Sequence, residues 1–236
     1  TGEGMGIGAP SFRTGERTYF SRRIRRRQID SQHWIHTYTL DTCLEWRIHG
    51  RCMDPLTRCL ERAADLYMRL TPFQRHMLPC ILPTRNLFSI HPSLQPVSPV
   101  GEVCFEYRVS GGTIVVNCGV DAFTEPPPAV YLMNELSANY FTAAWGAGPL
   151  QAPPPWERIP CVFPTDALYD PAHRLLFRIT AAQPGPGTMF RIFRGREKTD
   201  ERSWAGFILE LTGDGKSPTD APAIRYEIEI AEASRG

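Results

Sequence analysis

The chain of 236 residues lacks most of the features that announce a function. Its longest clean apolar run, Ala129 to Met133, falls far short of the roughly 18 residues that span a bilayer as a helix. Its seven cysteines include no Cys-x-x-Cys pair and no cysteine–histidine cluster at zinc spacing, and an odd number excludes complete pairing within one chain. A reduced, cytoplasmic chain is the expectation. Gly-x-Ser-x-Gly, His-Glu-x-x-His and phosphate-loop patterns are also missing, which turns the reading away from standard serine hydrolases, zincins and nucleotide-dependent enzymes. No metal and no cofactor is therefore expected. Lysine occurs only at 198 and 216. So strong a preference for arginine reads as codon usage, and it weakens any argument from an arginine count.

What is present is the composition of a globular protein. Hydrophobic residues at 42% and charged residues at 22% exclude wholesale disorder, collagen and coiled coil. The net charge of +1 hides an asymmetry: residues 1–100 hold 14 basic and 8 acidic side chains, and residues 101–236 hold 12 and 17. The densest positive stretch is Arg22-Arg23-Ile24-Arg25-Arg26-Arg27. Such a stretch suits phosphates. Without an accompanying RNA-binding aromatic motif, it reads better as a solvated strand or turn whose arginines pair with acidic residues of the second half.

Periodicity gives the architecture. From His33 to His49 the even positions are Trp34, His36, Tyr38, Leu40, Thr42, Leu44, Trp46 and Ile48, a period of two that predicts one long bent strand or two strands joined through a bulge. Residues 103–109 and 114–120 flank Gly111-Gly112 and predict a hairpin. The register pairing Val109 with Ile114, Tyr107 with Val116, Phe105 with Cys118 and Val103 with Val120 makes one face apolar, and burial of that face resists a slip by one residue. Cys104 and Cys118 should then be free thiols on opposite faces. Residues 129–145 read as strand, turn, strand. Four further strands are expected at 173–180, 188–193, 203–212 and 223–231, separated by turn-rich or charged segments.

Three other segments read differently. Glycine at 2, 4, 6, 8 and 15 suggests a terminal loop over 1–16, free to turn tightly or approach a ligand closely. Asp54 and Pro55, followed by Leu56, Cys59, Leu60, Ala63, Leu66, Tyr67 and Leu70, predict a helical insertion over about 54–78. Prolines at 79, 83, 92, 96 and 99 predict a connection over 79–99. The whole is a mainly β (α+β) fold, a single domain over 1–236 built as a β-rich barrel or two-sheet sandwich with one helical insertion.

Candidate chemistry starts with His36, which interrupts an apolar strand face between Trp34 and Tyr38 and must satisfy two ring nitrogens there. The plainer reading is a hydrogen-bonded core histidine. Glu135, in the polar-among-apolar stretch 134–140, is a second candidate acid or base, against the plainer reading of a structural carboxylate. Tyr38 completes the expected catalytic set, and Trp34, Trp46, Tyr140 and Trp145 are the candidate apolar walls of a binding site. Asp170 and His173 form a possible acid–imidazole pair, although Asp170-Pro171 also reads as a turn initiator. Together these suggest a metal- and nucleotide-independent isomerase, cyclase or hydratase (lyase) that acts on an apolar or polycyclic molecule by acid/base chemistry in a β-lined cavity. The alternatives are a non-catalytic carrier of a lipid, pigment or glycan, and a binder of nucleic acid or an acidic partner through Arg22–Arg27.

Overall fold

A computed structural model describes residues 7–14, 17–48, 51–52, 90–121, 123, 129–145, 148–149, 157–198, 203–213 and 222–233. All the regular structure among them is strand. The strands are β1 (Ile7–Thr14), β2 (Arg17–Asp30), β3 (His33–Ile48), β4 (Arg51–Cys52), β5 (Ile90–Ser110), β6 (Thr113–Asp121), β7 (Ala129–Leu136) and β8 (Ala143–Ala144). They continue with β9 (Gly148–Pro149), β10 (Glu157–Ile159), β11 (Leu168–Asp170), β12 (Leu175–Pro184), β13 (Thr188–Lys198), β14 (Ser203–Gly213) and β15 (Ala223–Glu232). The helix expected over 54–78 lies outside the described residues.

One antiparallel sheet takes in all these strands, in the order β10-β13-β14-β7-β1-β2-β3-β5-β6-β15-β12-β11-β8-β9, with β4 on β3. It curls into a half-barrel, and β12 and β13, although joined by the turn at 184–187, share no ladder among the described residues. Alternation puts one face of each long strand inside. Val103, Phe105 and Tyr107 of β5, Val116, Cys118 and Val120 of β6, and Ile224, Tyr226 and Ile228 of β15 are all buried. The β5–β6 ladder has the register that apolar pairing demands, with Tyr107 opposite Val116 and Phe105 opposite Cys118. Cys104 and Cys118 are free thiols, Cys118 buried and Cys104 half-buried.

Proline and glycine account for two corrections. The segment 90–99 is not a connection: β5 begins at Ile90, and Pro92 and Pro96 lie opposite Trp46 and Thr42 on β3. Along this stretch β5 is laddered on one side alone among the described residues, because β6 pairs with it only from Glu102 onward, and a strand with an unpaired side is where proline is tolerated. Pro99 falls in the irregularity where the ladder steps from Thr42–Pro96 to Leu40–Gly101. Similarly, residues 7–14 form β1 and not part of a terminal loop. Pro10 pairs with Leu132 of β7 at a level where β2, which meets β1 only through Ser11–Thr14, makes no demand on its nitrogen.

The chain also extends past the expected strand ends. β13 continues through Arg194 to Lys198, inside what reads as a charged connection, because β14 pairs with it over that whole length. β2 from Arg22 to Asp30 is exposed and forms a charged edge, which discourages pairing with a stray strand. Two of its arginines meet acids on the outer face: Arg23 Nε lies 2.6 Å from Asp41 Oδ2, and Arg25 Nη2 lies 2.8 Å from Glu102 Oε2. Burial works against ionisation of Asp41, but the Arg22 backbone N–H, the Arg23 guanidinium and Thr42 outweigh it and hold its carboxyl below the ordinary range.

Candidate functional site

The site exists because two strand pairs diverge. β1 parts from β2 beyond Ser11 and stays with β7, whereas β2 stays with β3. A cavity of about 520 Å³ lies between them. Trp34 and His36 of β3 form one wall, Tyr107 and Val109 of β5 with Ile114 of β6 form the floor, and Ile7 of β1 with the 135–137 end of β7 closes the far side.

Gly8 makes this closure possible. It has φ +81° and sits at the irregularity in the β1–β7 ladder between Ile7 and Ala9, a bulge that only glycine enters without strain. A Cβ there would stand 2.7 Å from the Tyr107 hydroxyl and 2.9 Å from the Phe105 ring. The bulge lowers the β1 backbone onto the floor, where Tyr107 Oη donates to the Ile7 carbonyl at 2.8 Å. That bond commits the one phenolic proton of Tyr107, because a carbonyl only accepts. Burial drives the Tyr107 hydroxyl far above its ordinary value, and it raises Tyr38 as well, against the opposing influences of Tyr107 and of the Arg26 charge. Both are neutral hydrogen-bonding groups at pH 7.

His36 differs from these tyrosines. Its ring packs edge-on against Tyr107, with centroids 5.0 Å apart, and against Tyr38 at 6.4 Å. Neither ring nitrogen has a hydrogen-bond partner among the described residues. Burial, followed by the charge of Arg26, lowers its pKa below 6.5. The imidazole is thus neutral at pH 7, with one nitrogen able to accept a proton and the other able to donate one. A ring titration by NMR is expected to place the His36 midpoint below 6.5; a midpoint at or above that value contradicts this environment. The sign for stability follows: folding disfavours the imidazolium, so the contribution of His36 is full above its unfolded pKa and is lost as pH falls through the lowered folded value.

Beneath the cavity lies a second buried polar pair. Tyr226 Oη donates to Asn134 Oδ1 at 2.9 Å, and Asn134 Nδ2 donates to the Leu132 carbonyl at 3.3 Å. Both residues are fully buried, and burial raises the Tyr226 hydroxyl well above its ordinary value. Cys118, also raised by burial, is a protonated and inert thiol here.

The expected site residues separate into groups. Trp34, His36 and Glu135 line the cavity, although Glu135 has the strand parity opposite to Asn134 and so belongs to the rim. Tyr38 is not among the lining residues and packs edge-on against His36 and Phe105. Tyr140 and Trp145 are elsewhere and exposed: Tyr140 packs on His173 at 5.5 Å and Trp145 on Tyr169 at 4.7 Å. Trp46 lies opposite Pro92 near the far end of β3, and its side chain is outside the described residues. Asp170 is a turn cap as well as a partner for His173, accepting from the backbone N–H groups of Ala172 and His173 and meeting the imidazole at 2.7 Å. Sequence reasoning missed Tyr107 and Ile7, and it named Arg26 only as part of the Arg22–Arg27 stretch. Tyr107 carried the same signal as His36, a polar atom on an otherwise apolar strand face.

Among the described residues, no group of three His, Cys, Asp or Glu is placed to hold a metal ion, and no helix is long and apolar enough to cross a membrane. Comparison with known families, curated proteins and solved structures finds no match for this chain.

Proposed function

We propose that this protein is a cofactor-independent enzyme that binds an apolar or polycyclic small molecule in the cavity and moves a proton on it with His36, in an isomerisation, cyclisation or hydration. The observation that supports this most is the neutral imidazole of His36 at an apolar cavity wall, with both nitrogens unclaimed among the described residues. A volume of about 520 Å³ suits a small organic ligand, and a mostly apolar lining with a few convergent polar groups is the usual make-up of such sites. Trp34 and Tyr107 offer aromatic faces that stabilise developing positive charge, and Glu135 at the rim is the second acid/base candidate. The compartment we assign is the reducing cytoplasm, supported by free thiols at Cys104, Cys118 and Cys161.

A second reading, a carrier without chemistry, is favoured by Tyr107, whose only proton is committed to the Ile7 carbonyl. The arginine stretch supports a nucleic-acid role less well, because Arg23 and Arg25 are already paired with Asp41 and Glu102.

The test uses the molecule that the purified protein retains, extracted, identified and returned to wild type and to His36→Ala in D2O. Conversion or deuterium exchange by wild type and its loss in the variant is the expected result. Retained exchange in His36→Ala removes the catalytic role, and a ligand that wild type binds but never alters establishes the carrier.

A further inference from the structure

We propose that the occupant of the cavity is an amphiphile whose carboxylate end is held by Arg26 beside His36, its apolar body lying against Trp34, Val109 and Ile114. This rests on the reading of the cavity as a small-molecule site and adds the ligand's class and its direction of entry.

The argument is one of register. On the β2–β3 ladder Ile24 lies opposite Tyr38, Arg26 opposite His36 and Gln28 opposite Trp34, with no irregularity between them. These three β2 residues therefore share the inward face of β3. Directly opposed residues have Cβ atoms about 4.5–5.5 Å apart, so the exposed Arg26 side chain starts beside His36, which lines the cavity. The neighbouring arginines differ in both face and partner. Arg23 and Arg25 lie opposite Thr39 and Thr37, on the outer face, where Asp41 and Glu102 hold them. Arg26 has no carboxylate partner among the described residues.

A cation at the lip of an apolar cavity, beside a ring N–H donor, is a receptor for an anion attached to an apolar body. The guanidinium fork matches a carboxylate with two parallel bonds. The apolar lining sets the direction: Trp34, Val109 and Ile114 line the cavity and take the apolar end, which leaves the carboxylate at the β2 side beside Arg26. The ligand enters apolar end first, between the ends of β1 and β2, and its carboxylate stays at the β2 edge.

The experiment is a fluorescence titration of wild type, Arg26→Gln and Arg27→Gln with cis-parinaric acid and with its methyl ester. Arg27 lies opposite Ile35, on the outer face, so its substitution removes the same charge without touching the cavity. Wild type and Arg27→Gln are expected to bind the acid about tenfold more tightly than the ester, and Arg26→Gln to bind the two alike. Equal binding of acid and ester by wild type, or a preference that survives in Arg26→Gln, overturns the assignment of the carboxylate and leaves the cavity reading standing. Failure of wild type to bind either probe overturns both.

Discussion

Gly206→Ala is expected to destabilise the protein by about 3 kcal/mol, at the upper end of the usual cost of overpacking, which in a chain of this size lowers the melting temperature by roughly 10 °C. Gly206 lies on β14 opposite Glu135 of β7. A Cβ there would run into the carbonyl oxygen of Asn134, and it would stand 2.9 Å from that carbonyl carbon and 3.0 Å from the Glu135 Cα. Every one of these atoms is backbone, so no side chain can turn aside and the two strands must separate. They carry Asn134, whose amide oxygen accepts the Tyr226 hydroxyl in the core, and separation would strain a bond between two fully buried polar groups. Gly119 on β6 is the control. A Cβ there meets nothing within 4 Å, and Gly119→Ala should be neutral or stabilising, by up to about 1 kcal/mol, since it restricts the unfolded chain. Thermal or urea unfolding of the two variants checks both signs, and equal effects contradict the close β7–β14 approach.

The largest expected effect on binding comes from filling the cavity. Val109→Trp places an indole over the floor between Tyr107 and Ile114, in a space of about 520 Å³, and should weaken binding of an apolar fluorescent probe by about a hundredfold or more, equivalent to about 2.7 kcal/mol. Stability should change little, because the added ring fills a void and does not compress a packed core. Val115→Trp is the matched control: Val115 lies opposite Arg108 on β5 and Glu227 on β15, on the outer face, and its substitution should leave binding intact. Equal loss in both variants would show that the probe reports general disruption and not occupancy of the cavity.

These effects depend on features of unequal legibility. The β5–β6 hairpin was readable because alternation and a two-residue Gly-Gly turn act over short range, and only one register buries an apolar face. His36 was readable for the same reason, since period two puts it between Trp34 and Tyr38 whatever strand lies beside it. The prolines of β5 and the glycines near β1 pointed to loops because their meaning depends on which side of a strand is paired. Pro92, Pro96 and Gly8 fit because β6 ends at Asp121, opposite Glu102, and β1 leaves β2. Those are long-range facts, set by strand order and not by local pattern. Tyr140 and Trp145 show the converse error. Their amphipathic rings suggested a binding wall, but the turn after β7 carries them to β11 and the Asp170–His173 turn, far along the sheet order from β3. Arg26 was hidden inside a run of like residues, and only the β2–β3 register separates its face from that of Arg23 and Arg25.

Native mass spectrometry of the purified wild-type protein beside Val109→Trp, followed by denaturing extraction, tests the central claim most directly. The account predicts that wild type retains an apolar small molecule, detected as an added mass and recovered on extraction, and that the filled variant does not. Bare wild-type protein that also fails to take up an added apolar probe, or a retained molecule unaffected by Val109→Trp, would contradict it.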